Sequence, residues 1–321
     1  MHFRGIDRWR ARAQFTAMGA TATYLPTKRV KDLAQRSDLW GAWLTFHVWA
    51  VIFGSMAMFI IFPNPLTFIL AFLLVGSRQH GMAILMHDAA HGVLFKTKAL
   101  NEFVGQYLLG AAYGGDMMSY RKYHLKHHRY AQRPEDPDLP LSAKFPTTRA
   151  SLRRKFIRDL TGQTFLRLQL ASRTMSKGEA PVIEGSDAFQ KSSPWPYFII
   201  NAFLLAGLAA LGYWWVYFAL WLAPLMTWFF FVLRLRNIAE HGMTTNDDNA
   251  LTHARTTKAN LIERIFFAPY WVNYHVEHHA YMYVPCHGLK AMHREMLKAG
   301  YLDQMETKTS YLNVLRTAAP A

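Results

Sequence analysis

The chain has 321 residues, 51% of them apolar, and carries 36 Lys and Arg against 21 Asp and Glu, a net charge of +15. Its single cysteine, Cys286, excludes an intrachain disulfide and any Cys-based metal or redox motif. No nucleic-acid-binding motif accompanies the positive charge, so the charge points to lipid headgroups or an acidic redox partner and not to nucleic acid.

Residues 1–39 are basic and lack the apolar core of a signal peptide, so they read as a cytoplasmic arm with interfacial helix character. Residues 40–62 carry no charge and, as a helix of about 34 Å, can span a bilayer. Pro63 and Pro65 then make a short turn. A second span is expected over residues 66–88, with Arg78, Gln79 and His80 interrupting its lower half. Residues 103–118 are apolar but short and glycine-rich, an interfacial or re-entrant pattern, and a long basic stretch comes next over 119–194.

Residues 195–233 are again free of charge. As one helix they would reach about 58 Å, far beyond a bilayer core, so they must fold back. Gly212 and the aromatics Tyr213, Trp214 and Trp215 mark the turn, giving spans over 195–213 and 216–233. The two outer turns hold no Lys or Arg, which places both termini and the polar segments 89–194 and 234–321 in the cytoplasm. The expected fold is an all-α integral membrane protein. Four transmembrane helices stand over a cytoplasmic helical cap, and residues 40–321 form one membrane domain.

Fifteen histidines are present, and most are clustered. His87 and His91 make one box (HDAAH). His124, His127 and His128 make a second (HLKHH), and His275, His278 and His279 a third (HVEHH). Spacings of three and four put each set on one face of a helix. Each box comes after an apolar segment on the same expected side, so three separated segments can converge beneath the bundle. Neutral imidazoles converging from rigid elements are what a transition-metal site requires. His80 lies on the same helical stripe as His87 and His91, two turns deeper. It reads either as a residue lining a substrate tunnel or as an interhelical hydrogen-bonding group near Arg78 and Gln79. His2, His47, His253, His287 and His293 read as non-ligands. The basic residues of 150–190 have no assigned role beyond contact with headgroups or cover for the metal site.

The three boxes, their order, and the two spans between the second and third resemble the membrane fatty acid desaturase superfamily. The three-residue spacing in HDAAH is similar to acyl-lipid desaturases. The stretch from Tyr281 to Leu289 resembles the segment after the third box in many bacterial members. The resemblance implies a further ligand, His241, with Asn237 four residues upstream contacting a metal through water. The implied ligand set is then His87, His91, His124, His127, His128, His241, His275, His278 and His279. Asp88, Glu240 and Glu277 would orient imidazoles through their distal N–H groups. The resemblance further implies two iron ions, O₂ as co-substrate, and a fatty acyl chain or other long apolar substrate taken from the bilayer. It also implies electrons from a separate ferredoxin or cytochrome, and a multi-pass location, the bacterial inner membrane for the members it resembles most. A hydroxylase or ketolase acting on a fatty acyl or carotenoid substrate shares these boxes. A non-enzymatic membrane metal-binding protein is the more distant alternative.

Overall fold

The computed structural model describes residues 24–176 and 193–320. Most of the expected N-terminal arm, His2 included, lies outside the described residues, as does the segment 177–192. The described part of the arm holds a short helix, α1 (Thr27–Leu33), packed against a C-terminal helix.

The core begins with a helical hairpin. Ser37 caps α2 (Asp38–Ile61) by accepting from Trp40 N, and Asp38 sits in the first turn, where a carboxylate favours the helix N-terminus. Asn64 caps α3 (Pro65–Ala90) in a reciprocal capping box with Thr67, and Pro65 supplies the fixed φ of the first helical turn. The two pack along their length. Gly41 lets α2 approach the segment that follows α3: a Cβ there would stand 2.6 Å from the Leu94 carbonyl oxygen.

After α3 the chain forms α4 (Lys98–Phe103), runs on in π-helical turns over Val104–Ala111, and packs back on α3. Val104 and Leu109 are buried, whereas Leu100, Phe103 and Tyr107 face outward. Asp116 caps α5 (Met117–Tyr130), the helix of the second box, by accepting from Ser119 N. The basic region forms two amphipathic helices, α6 (Arg149–Leu160) and α7 (Gln163–Ser176). Its role is in part structural, because buried Asp159 on α6 pairs with Arg234.

Among the described residues, three helices are long and apolar enough to cross a membrane: α2, α3 and the composite helix Trp214–His241. The helix just before the composite one, α8 (Trp195–Ala210), has 16 residues and is shorter than the expected span of 195–213. Gly212 with φ +82 makes the turn that its sequence position foretold. The composite helix, α9 (Trp214–His241), departs from expectation at its end. The sequence placed the boundary at the first charge, Arg234, yet the helix runs to His241. Its late charges have protein partners, Asp159 for Arg234 and Glu240 for Arg236, so they need no water. Pro224 lacks the N–H that would continue the ladder, and the preceding turns over Tyr217–Leu222 widen to π geometry. Thr227, which back-bonds to the Ala223 carbonyl at 2.6 Å, leaves helical geometry and kinks α9.

The remaining chain closes over the polar ends of these helices as α10 (Leu261–Phe266), α11 (His275–Ala280), α12 (Cys286–Lys298) and α13 (Tyr311–Ala318). A two-residue parallel pair, Thr256–Thr257 with Thr307–Lys308, ties the segment after α9 to the tail. Beside it, fully buried Arg255 donates to the Ile238 and Ala239 carbonyls near the end of α9 and pairs with Glu306 at 2.9 Å. A cation there matches the negative end of the helix dipole.

Candidate metal centre

The three boxes and His241 meet at one place. α3 brings His87 and His91, α5 brings His124, His127 and His128, α9 brings His241, and α11 brings His275, His278 and His279. The nine imidazoles sort into two adjoining groups. In the first, a nitrogen from each of His87, His91, His124, His128 and His278 lies within 4.8 Å of all the others. In the second, His127, His241 and His279 meet the same limit, and His275 joins through His241.

The nitrogens face one another. His128 Nε2 is 3.0 Å from His124 Nε2 and 2.9 Å from His278 Nε2, and His275 Nε2 is 2.8 Å from His241 Nε2. One proton can serve only one nitrogen of such a pair, so lone pairs are left pointing at a shared space. Nε2 of His87, His91 and His279 is buried without a hydrogen-bond partner among the described residues. Orphaned, convergent, neutral imidazole nitrogens fit a pair of divalent transition-metal ions. Burial comes first in keeping these rings neutral. It pushes His91 down to about 3, with the Arg121 and His127 charges adding to it. Burial and then neighbouring imidazoles hold His124, His128, His278 and His279 well below the ordinary histidine value. His127 is the exception. Burial lowers it, but the hydrogen bond to Asp136 and the charges of Asp138 and Glu240 outweigh that and leave it raised.

The outer nitrogens explain how the rings are held. His127 Nδ1 donates to Asp136 at 2.8 Å, His241 Nδ1 to the His253 carbonyl at 3.2 Å, and His124 Nδ1 faces the Tyr120 hydroxyl at 3.3 Å. Asp88 Oδ1 lies 3.6 Å from His87 Nδ1, while its Oδ2 accepts from Cys286 N at 2.7 Å. Two of the expected orienting carboxylates behave differently. Glu240 approaches the inner nitrogen of His275, Oε2 to Nε2 at 3.5 Å, so it sits within the imidazole group and not behind it. Arg236 Nε holds its other oxygen at 2.6 Å. Glu277 accepts from Thr256 Oγ1 at 2.5 Å and from His293 Nδ1, fastening α11 to the β-pair and α12. The helix carries Glu277 to the face opposite its neighbours His275 and His279, which is why it meets this second layer.

Sequence reasoning passed over Asp136 and named His253 and His293 only as non-ligands, without the contacts they make. Asp136 lies in an irregular Pro-rich turn, Pro134 to Pro137, where no helical period relates it to His127. His253 packs its ring 5.1 Å from that of His279, and His293 reaches Glu277 from α12. Both contacts span segments that no local spacing connects. His47 faces Tyr270 and His287 stacks on Trp40, away from the nine. His80 is fully buried against Phe229, and neither of its nitrogens has a partner among the described residues. The expected alternative of bonding near Arg78 and Gln79 is not realised: Gln79 donates to the Trp221 carbonyl and Arg78 to that of Ile265. Asn237 stands half-buried one turn before His241.

Apolar helices of membrane-crossing length, ending in a buried double cage of imidazoles, define a membrane-type histidine-ligated metalloenzyme. The fatty acid desaturase family model matches residues 63–308, which takes in every box, and the chain belongs to that family. A dihydrorhizobitoxine desaturase of Bradyrhizobium elkanii is 28% identical over 247 residues, covering 72% of this chain and 68% of that protein. The protein is accordingly a desaturase-type oxidoreductase.

Proposed function

We propose that this chain desaturates a fatty acyl chain taken from the bilayer, using two iron ions, O₂ and electrons from a separate ferredoxin or cytochrome. The observation that carries the proposal is the double imidazole cage at the polar ends of membrane-length helices. His87, His91, His124, His128 and His278 would hold one ion. His127, His241, His275 and His279 would hold the other, with Asn237 reaching it through water. Iron bound there would supply activation of O₂ and removal of hydrogen from an unactivated CH₂. Removing two hydrogens while reducing O₂ to two waters consumes two further electrons and two protons, which is the need for the donor. The name of the matched relative favours desaturation over insertion of oxygen.

The chain's own residues have separate tasks. The carboxylate of Asp136 and the carbonyl of His253 fix ring orientation. His80, about 10 Å deeper along α3 than His87, would line the acyl path. Residues 40–321 would act as one membrane unit after the 1–39 arm. α8 would serve as the fourth span, both termini would face the cytoplasm, and the inner membrane of a bacterium would be the site of action.

The test is metal content of the purified protein, followed by gas chromatography of host lipids with the wild type and with His128→Ala. Two irons per chain and a new unsaturated acyl species that disappears in the variant are the expected result. A hydroxylated or ketonic product would move the assignment to an oxygenase on the same scaffold. A folded wild type that takes up no metal would overturn it.

A further inference from the structure

Away from the imidazole cage, the helical hairpin and α10 enclose an open cavity of about 440 Å³. Its walls are Trp40, Trp43, Leu44 and Val51 of α2, Leu74 and Arg78 of α3, and α10 with the loop after it. Trp43 and Leu261 are exposed at its rim, as aromatic and apolar groups at a bilayer surface are. α10 also exposes Ile262, so the mouth opens among apolar side chains.

The lining is aliphatic and aromatic apart from the cations Arg78 and Arg264 and the ring of His47. No carboxylate lines it. Arg78 is 6% exposed, yet it forms no ion pair among the described residues. One terminal nitrogen donates to the Ile265 carbonyl at 2.5 Å, the guanidinium stands 5.8 Å from the Tyr270 ring centre, and Nε has no partner among the described residues. A buried guanidinium with a free donor and no counter-ion is costly to maintain without a ligand. Arg264 adds a second cation at the exposed edge, and His47 Nδ1 contacts the Tyr270 hydroxyl at 3.0 Å. The wall behind them is held under strain: Tyr270 and Trp271 both adopt positive φ, 54° and 58°, which bulky residues avoid. Gly81 makes room for that wall, since a Cβ there would meet the Tyr270 ring at 2.6 Å. A constrained loop that presses an aromatic face against a buried, unpaired arginine is a pre-organised feature and not a surface accident.

We propose that this cavity binds the anionic headgroup, a carboxylate or phosphate, of a single-chain amphiphile, with Arg78 and Arg264 as the anion contacts and Trp40, Trp43, Leu44, Val51 and Leu74 against its tail. The planar guanidinium suits both oxyanions, which present paired acceptors. A link from this mouth to the metal centre rests on the desaturase reading. The binding itself does not.

Equilibrium binding on the purified full-length protein in neutral detergent at pH 8 tests it, with tritiated palmitate, tritiated methyl palmitate and inorganic phosphate as probes. Palmitate should bind saturably and at least tenfold tighter than its methyl ester. Arg78→Gln should weaken palmitate binding about tenfold, and Arg264→Gln, an exposed change that leaves the fold alone, about threefold. A diazirine-bearing palmitate should label peptides covering 40–51 or 261–271. His128→Ala should bind palmitate as the wild type does, which separates this site from the imidazole cage. Equal binding of acid and ester, or a wild-type affinity in Arg264→Gln with labelling elsewhere, would overturn the proposal. Competition by inorganic phosphate as effective as that by palmitate would overturn the amphiphile as occupant.

Discussion

Replacing Asp136 by Asn tests whether a residue outside every histidine box controls half of the metal centre. Asp136 is buried, and both of its oxygens accept hydrogen bonds. Oδ1 accepts from His127 Nδ1 at 2.8 Å and from Asp138 N at 2.8 Å, and Oδ2 accepts from Gln132 N at 2.9 Å. Asn keeps the shape but loses the charge, and it turns an amide N–H₂ toward the Gln132 N–H. A hydrogen bond to a charged group is worth about 1.5–3 kcal/mol and a neutral one about 0.5–1.5. The loss at His127 is then about 1–1.5 kcal/mol, before any cost of the two opposed donors at Gln132. Asp138 cannot replace it without movement, since its nearer oxygen is 3.6 Å from the same nitrogen. Weakening an imidazole's outer partner typically lowers metal affinity about 10- to 100-fold. The loss should fall on the group of His127, His241, His275 and His279 and spare the five-histidine group. Titration of metal-free protein with Fe(II) under anaerobic conditions should show one site at wild-type affinity and one weakened by that factor. Two sites of wild-type affinity, or equal weakening of both in a folded variant, would refute the reasoning.

Glu240→Ala leaves Arg236 buried without its carboxylate, and removing one partner of such a pair costs about 3–5 kcal/mol. Chemical denaturation of the metal-free protein should show that loss, and a change under about 1 kcal/mol would contradict the pairing. Gly41→Ala drives a Cβ against the Leu94 carbonyl and the Phe95 ring, and the contact of α2 with the segment after α3 should loosen at a cost of about 1–3 kcal/mol, read as a lowered melting temperature. Acid should destabilise the metal-free protein. His91, His124, His128, His275, His278 and His279 have folded values depressed by burial, so the unfolded chain binds protons below about pH 6.5 that the folded one refuses. Their contribution is complete above that pH and falls by about 1.4 kcal/mol per histidine for each unit below it. His127, raised in the folded state, acts in the opposite sense but is one against six. Melting temperatures should hold from pH 7.5 to about 6.5 and drop steadily below that, and a profile that stays flat down to about pH 5.5 would contradict the burial of neutral rings.

Much of the site was legible in the sequence because its determinants are local. A spacing of three or four places two imidazoles on one helical face, and an uncharged run of about twenty residues carries its own membrane signal. His87 with His91, the HLKHH and HVEHH triplets, the α2 and α3 spans and the turn at Gly212 all come from such short-range patterns. Tertiary structure decided what local patterns cannot carry. It sorted nine imidazoles into groups of five and four, and each group draws on three helices and mixes boxes that sequence presents as separate units. It turned Glu240 inward toward His275 and Glu277 outward to His293, although both are glutamates beside box histidines. It extended α9 past Arg234, because a charge ends a helix's apolar run only where no protein partner awaits it, and here Asp159 arrives from 75 residues away. It also placed Asp136 behind His127 and Arg78 among apolar side chains, with no ion pair among the described residues. Helical period relates residues a turn apart; which side chain closes a hydrogen bond across the fold depends on how whole helices cross, and only packing sets that.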